Sequence, residues 1–362
     1  MRAIAVGRGE TDPTVVEIDE PEPAEGEALI RTLRVGIDGT DHEVIGSNHG
    51  GYPEGEDFQV LGHEAIGVVE DPNGTDLEAG QLVVPTVRRP PGGDAFGSGA
   101  EPNEYFERNE PDMAPAGEYV ERGIAGAHGY MAEYFTSEPR YLVPVPDEFA
   151  EIGFLVEPIS NSEKAFDLAE ASRSTFEWDP ESAIVLGNGP LGLLTLAMLD
   201  DRGFDRHYCL GRRDRPDPTI DIIEELGATY VDSRETPVDE LPGAEEPMDF
   251  VYEATGYAPH AFQTIDALAP NGVGVLLGIP GEWEFEIDGG ALHRDFVLEN
   301  KALLGSVNSH VPHFEAAVET LAGMPEWFTD AIVTHVFDPE DVDEAFETGD
   351  DRIKVVVEFD DL

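Results

Sequence analysis

A single cysteine, Cys209, among 362 residues excludes an internal disulfide framework and any thiolate metal cluster within the chain. Lysine is nearly as scarce: Lys164, Lys301 and Lys354 are the only three. The 21 basic residues face 77 acidic ones, for a formal net charge of −56. So strong a polyanion argues against a nucleic-acid partner. No apolar run reaches the roughly 20 residues that span a bilayer, so no membrane partner is expected. Met1-Arg2-Ala3-Ile4-Ala5-Val6 reads as a first strand rather than a signal peptide. The expected compartment is the cytoplasm.

The acidic residues are spread over every segment, and 40% of the chain is hydrophobic; a disordered acidic tail has neither property. Such charge repels itself at low ionic strength, whereas molar salt shortens the screening length to about 3 Å. The composition is that of a folded protein adapted to a very salty interior, with abundant salt cations at its surface.

The most informative stretch is Ala183-Ile184-Val185-Leu186-Gly187-Asn188-Gly189-Pro190-Leu191-Gly192, followed by an apolar run to Leu199. A buried strand, a glycine-rich turn and a helix fit this pattern, and Gly187-x-Gly189-x-x-Gly192 matches the dinucleotide fingerprint. The helix N-terminus then offers free N–H groups to a pyrophosphate. An ordinary glycine turn is the competing reading. The next strand, 206–211, ends at Gly211-Arg212-Arg213-Asp214-Arg215. Arginines there suit a ribose 2′-phosphate, which favours NADP, while Asp214 leaves room for NAD. The alternative is a solvated basic patch paired with neighbouring acids.

Up to about residue 150 the chain reads as β-rich, with strands at 4–6, 15–18, 28–35, 65–69 and 82–87. Residues 88–118, opening with Arg88-Arg89-Pro90-Pro91, read as a long surface excursion. Beyond about 158, helices expected at 159–172, 190–202, 218–227 and 259–268 alternate with strands at 183–187, 206–211, 228–231, 248–253 and 272–278. This alternation predicts an α/β fold: a β-rich domain plus a doubly wound parallel sheet. A strand at 303–307, a helix near 312–323 and a strand at 354–359 follow. Ala254-Thr255-Gly256, Leu277-Gly278-Ile279 and Ser306-Val307-Asn308 lie at carboxyl ends of strands, where such sheets bind ligands.

Three further stretches carry ionisable groups: Gly36-Ile37-Asp38-Gly39-Thr40-Asp41-His42, Gly62-His63-Glu64-Ala65-Ile66-Gly67, and Val156-Glu157-Pro158. Taken singly, Asp38 reads as a turn former, His63 as a core histidine and Glu157 as a helix-start acid. Together with the glycine fingerprint, these motifs resemble the medium-chain, zinc-dependent alcohol dehydrogenase superfamily, and within it the glucose dehydrogenases of halophilic archaea. The resemblance runs from Met1 to the last strand.

It implies a GroES-like catalytic domain over 1–158, completed by 303–362, and a Rossmann NADP-binding domain over 159–302. It places Asp38, His63 and Glu157 around one catalytic zinc, with Glu64 ligating directly or through water. Asp38 stands where the superfamily usually has cysteine; carboxylate oxygen is an acceptable zinc ligand. The four-cysteine structural zinc lobe of many relatives has no counterpart in 88–118, so no structural zinc is expected there. Glucose oxidation at C1 to the lactone is the implied reaction, with Thr40 hydrogen-bonding the reacting hydroxyl and His42 relaying its proton. Glu121, Glu157 and Asn308 are implied near the sugar, against a surface acid for Glu121 and a turn residue for Asn308. Relatives are dimers or tetramers, and a homodimer is the expectation. Another zinc-dependent polyol or alcohol dehydrogenase, or a non-catalytic nucleotide-binding protein, remains the alternative.

Overall fold

In the computed structural model, which describes residues 1–46 and 50–362, the β-branched runs of the first region form strands at Arg2–Gly7, Thr14–Glu17, Ala28–Ile37, Glu64–Asp71 and Leu82–Pro85. Ala28–Ile37 is the central one. It pairs antiparallel with Glu64–Asp71 on one side and with Lys354–Glu358 on the other, so Gly36 lies opposite both Glu64 and Val356. The last strand therefore completes a sheet begun at the other end of the chain. Ile4, Val6, Val35, Leu61, Phe135 and Val357 lie in its buried core. This unit comprises Met1–Ser160 and Asn308–Leu362, and the second comprises Asn161–Val307.

In the second unit, Ser182–Leu186, Arg206–Gly211, Thr229–Asp232, Met248–Glu253, Leu268–Leu276 and Ala302–Gly305 form a parallel sheet. Its spatial order is third, second, first, fourth, fifth, sixth, the doubly wound order of nucleotide folds. Helices cover both faces of such a sheet, which is why a central strand such as Ser182–Leu186 reads as an almost continuous apolar run. Ala183 to Leu186 are fully buried.

The structure corrects three expectations. The strand expected at 303–307 is Ala302–Gly305 and pairs with Leu268–Leu276, so the chain leaves the second unit after Val307 and not at 302/303. The helix Gly289–Leu298 was not foreseen because it opens on two glycines, which read as a turn. Finally, Arg88 and Arg89 do not open a surface excursion. Both are buried and pair as a short strand with Val120 and Glu121. Arg88 donates from Nη1 to the carbonyls of Pro111 (3.2 Å) and Asp112 (3.0 Å). Arg140 donates to that of Phe106 at 2.6 Å. Guanidinium groups thus fasten the 88–118 segment by its backbone.

His128 gives this unit an acid sensitivity. It is buried, stacked on Phe58 with centroids 4.7 Å apart, and its Nδ1 accepts the Val60 N–H at 3.1 Å. That bond requires an unprotonated Nδ1. Burial, then the Arg122 charge, pushes the imidazole down from 6.5 to about 4. The unfolded chain binds the proton more readily, so this stabilisation is full above about pH 6.5 and is lost as pH falls toward 4. Each pH unit in that window costs up to about 1.4 kcal/mol. His128→Asn keeps an acceptor but cannot titrate. Urea unfolding at constant KCl is expected to show a pH slope shallower by about one proton between pH 4 and 6.5; an unchanged slope would rule His128 out as its source.

Candidate active site

Asp38 follows the central strand and caps the short helix Gly39–Ile45. Its Oδ1 accepts the backbone N–H groups of Thr40 (2.8 Å) and Asp41 (3.1 Å), and Asp41 Oδ2 accepts that of Asp38 at 3.0 Å. This reciprocal box fixes the carboxylate's orientation. Its second oxygen, Oδ2, accepts the Thr40 hydroxyl at 3.2 Å and lies 3.7 Å from His63 Nε2. His63 directly precedes the strand Glu64–Asp71, and Glu157 is the second residue of the helix Val156–Arg173. All three of His63, Glu64 and Glu157 are buried.

Two triads share His63. One ligand atom each from Asp38, Asp41 and His63 lie within 4.8 Å of one another, as do those of His63, Glu64 and Glu157. The structure thus gathers all four sequence-predicted ligands, Asp38, His63, Glu64 and Glu157, about one imidazole.

Two members of the cluster escaped the sequence reading. Asp41 is fully buried, and its Oδ1 accepts the Gly62 N–H at 3.0 Å. Lys354 is only 1% exposed. It reaches from the last strand to form an ion pair with Glu64 and donates to the Ile37 carbonyl at 3.0 Å. The pair fills the space beside Gly36. A Cβ there would sit 2.4 Å from Glu64 Oε2 and 2.8 Å from Lys354 Cε, so this position admits no side chain unless the pair moves. A lysine in an otherwise valine-rich strand, in a chain with three lysines, was the available signal.

The electrostatics favour a cation at the centre. Burial pulls the His63 imidazolium down, but the carboxylates of Asp38, Asp41, Glu157 and Glu64 together outweigh it and raise His63 to about 9. Burial raises Asp41 to about 7 and also raises Glu64, against the pull of Lys354. For Asp38, burial is overcome by His63, Lys354 and two backbone N–H groups, which hold it below the usual range. His63 Nδ1 is buried with no hydrogen-bond partner among the described residues. One imidazole with several carboxylate oxygens, a partnerless buried ring nitrogen and this excess of negative charge fit a divalent metal of the zinc type.

The remaining candidates of this unit stand differently. Glu121 is no surface acid: it is buried, and its carboxylate accepts Arg88 Nε at 3.0 Å. Asn308 adopts a left-handed backbone with φ 56° and accepts the Ser309 N–H through its side chain at 2.8 Å, which is turn geometry. His42 packs edge-on to Phe346, with centroids 5.8 Å apart, and burial lowers its pKa.

In the second unit the fingerprint glycines divide the work. Gly187 has φ +116°, beside Gly189 there is open space, and a Cβ on Gly192 would strike the Gly187 carbonyl at 2.0 Å. The helix Pro190–Met198 starts from Gly189 with no side-chain cap, so its first N–H groups remain available to an anion. Asn188 donates from its side chain to Thr219 Oγ1 at 2.6 Å. Glu253 braces the next loop, accepting the backbone N–H groups of Thr255 (2.7 Å) and Gly256 (3.0 Å). Leu277 and Gly278 donate to the Glu253 carbonyl, and Ser306 to that of Leu276, while Ile279 and Val307 stay exposed. All these segments follow carboxyl ends of the parallel strands.

Of the arginines after 206–211, Arg212 is exposed and Arg213 lies 3.9 Å from Asp217, while Arg215 pairs with Glu224. Arg234, which the sequence reading missed, holds Asp214 at 2.6 Å. That pairing ties up the acid expected to admit NAD.

Residues 24–147 match the family model described as the alcohol dehydrogenase GroES-like domain, and with the parallel nucleotide sheet this makes the chain a medium-chain dehydrogenase. Residues 150–359 match the model described as the glucose dehydrogenase C-terminus. The chain is 66% identical to the glucose 1-dehydrogenase of Haloarcula marismortui over 362 residues, all of both chains. It is 64% identical to that of Haloferax mediterranei over 361 residues, 99% of each. The solved Haloferax mediterranei glucose dehydrogenase in complex with NADP, Zn and gluconolactone superposes with a TM-score of 0.97, at 63% identity and full coverage of both chains. The chain belongs to the glucose 1-dehydrogenase family.

Proposed function

We propose that the chain oxidises D-glucose, and related aldoses, at C1 to the lactone, with NADP as preferred hydride acceptor and NAD as a poorer one. The observation that carries this reading is the pair of ligand triads that share His63, one including Asp38 and the other Glu64 and Glu157. The NADP, Zn and gluconolactone complex of the Haloferax relative supports it. Asp38, His63 and Glu157 would hold one catalytic Zn²⁺, with Glu64 as a fourth donor, direct or through water. Bound there, zinc supplies the Lewis acidity that lowers the pKa of the C1 hydroxyl.

The chain's own residues handle position and proton. Thr40 Oγ1, aligned by Asp38, accepts the hydrogen bond of the C1 hydroxyl, and His42 carries the proton outward. Glu121, Glu157 and Asn308 pair with sugar hydroxyls, which a site built for hydroxyls demands. The reaction moves a hydride from C1 to the nicotinamide and releases the hydroxyl proton to solvent. Gly187 to Gly192, Thr255, Leu277 to Ile279 and Ser306 to Asn308 would line the dinucleotide, with Arg212 and Arg213 on the 2′-phosphate.

A cytoplasmic homodimer in concentrated salt completes the proposal. Trp283, Ile287, Val297 and Leu298 are exposed apolar side chains of the second unit that self-association could bury.

A steady-state panel of glucose, xylose, sorbitol and ethanol with NADP and NAD, in concentrated KCl, tests the reading. Glucose with NADP is expected to give the highest kcat/KM. Sorbitol or ethanol ahead of glucose would assign another polyol or alcohol dehydrogenase, and no turnover in zinc-loaded protein would leave a nucleotide binder. In the same assay, Arg212→Ala with Arg213→Ala removes two charged contacts of about 1.5–3 kcal/mol each. The KM for NADP should rise roughly 100-fold or more with that for NAD nearly unchanged. An equal rise for both cofactors rejects the 2′-phosphate clamp.

A further inference from the structure

Asp112, His310 and His313 form a second ligand group in the first unit, sharing no residue with the His63 cluster. Asp112 sits in the turn Pro111–Met113, His310 directly precedes the helix Val311–Gly323, and His313 lies in its first turn. An oxygen and two imidazole nitrogens, one from each, lie within 4.8 Å of one another. Asp112 Oδ1 is 2.9 Å from His310 Nδ1, and the Asp112 side chain is 1% exposed. The two rings meet edge to face with centroids 4.2 Å apart, and His313 is buried.

The backbone on the Asp112 side is held before any ligand arrives. Arg88 clasps the carbonyls of Pro111 and Asp112, and its Nε is paired with Glu121. The histidines are spaced i and i+3 at a helix start, which puts both rings on one face. Ligands on a tetrahedral zinc at 2.0–2.1 Å are about 3.3 Å apart, so small side-chain rotations bring these three donors onto one ion. Two imidazoles with one carboxylate suit zinc, cobalt, nickel or copper better than the oxygen-seeking magnesium or calcium.

We infer that Asp112, His310 and His313 constitute a second divalent-metal site of the zinc class, which ties the 88–118 segment to the helix Val311–Gly323. It revises the expectation that this segment is held without a metal. Asp112 Oδ1 approaches His310 Nδ1 to 2.9 Å, and His313 brings a second ring nitrogen into the same ligand group. The site is structural in character and independent of the sugar and cofactor readings.

Zinc counting on the full-length chain, loaded with zinc in concentrated KCl and gel-filtered, tests the inference. Two zinc ions per chain are expected in the wild type and one in His313→Gln and in Asp112→Asn, with kcat for glucose preserved in both variants. Zinc should also raise the thermal midpoint more in the wild type than in either variant. Copper loading gives an independent readout in the wild type. Its magnetic-resonance spectrum should contain a component with two imidazole nitrogens, since the His63 cluster offers only one. One zinc in all three proteins, or copper coupled to a single imidazole, overturns the site and leaves a hydrogen-bonded clamp. Should His313→Gln fail to fold, Asp112→Asn and the wild-type copper spectrum decide.

Discussion

Asp38→Asn should leave the fold almost as stable as the wild type yet lower kcat/KM for glucose by about a thousandfold or more, a loss of roughly 4 kcal/mol of transition-state stabilisation. The contrast follows from the two jobs of this carboxylate. As a helix cap it accepts two backbone N–H groups through Oδ1, and asparagine caps as well as aspartate. As a ligand candidate it offers charge through Oδ2, 3.7 Å from His63, and the amide carries none. Asp38→Ala should lose both, adding about 1 kcal/mol of destabilisation from the missing cap. Zinc per chain should fall by one in each variant, measured after gel filtration in concentrated KCl. If Asp38→Asn kept its zinc and its turnover, Asp38 would be a turn former and nothing more.

Lys354→Met is expected to cost about 3–5 kcal/mol of unfolding free energy, because it strands Glu64 as a buried carboxylate without its cation. Both groups are sealed from solvent, at 1% and 2% exposure, so neither water nor salt can replace the partner. The double variant Lys354→Met with Glu64→Gln removes the stranded charge as well. It should recover most of the loss, since deleting both members of a buried pair is often near neutral. Urea unfolding of the wild type, Lys354→Met, Glu64→Gln and the double variant at one KCl concentration closes the cycle. A double variant no more stable than Lys354→Met alone would show that packing around Gly36, not the ion pair, governs stability. Saturating zinc should lessen the defect of the single variant by supplying positive charge beside Glu64.

Much of the architecture was legible because its signals are local. Ala183 to Leu186 is an uninterrupted apolar run, the helices Pro190–Met198 and Pro218–Glu225 start at proline, and the glycine fingerprint occupies six consecutive positions. The parallel pairing of the strands in doubly wound order follows from the alternation of strand and helix. The helix Gly289–Leu298 was missed because its first two residues are glycines, a turn signal that outweighed the short apolar pattern behind them. Arg88 and Arg89 misled because charge predicts exposure, whereas here each guanidinium finds carbonyl partners inside the unit. Around His63, Asp38, Glu64 and Glu157 were expected from the resemblance, whereas Asp41 and Lys354 were not, nor was Arg234 in the second unit.

By itself the sequence determined which donors exist and where most strands of the second unit lie: one histidine and its carboxylates beside strand ends, a glycine turn for phosphates, and too few cysteines for a thiolate site. Only the tertiary structure decided which of them meet. Lys354 reaches Glu64 because the last strand pairs with the central one in a register that sets Val356 opposite Gly36. Asp112 reaches His310 because a turn and a helix start, far apart in the chain, come together in one unit. Pairing register between distant segments depends on the energy of the whole sheet and core, which no short window of residues contains.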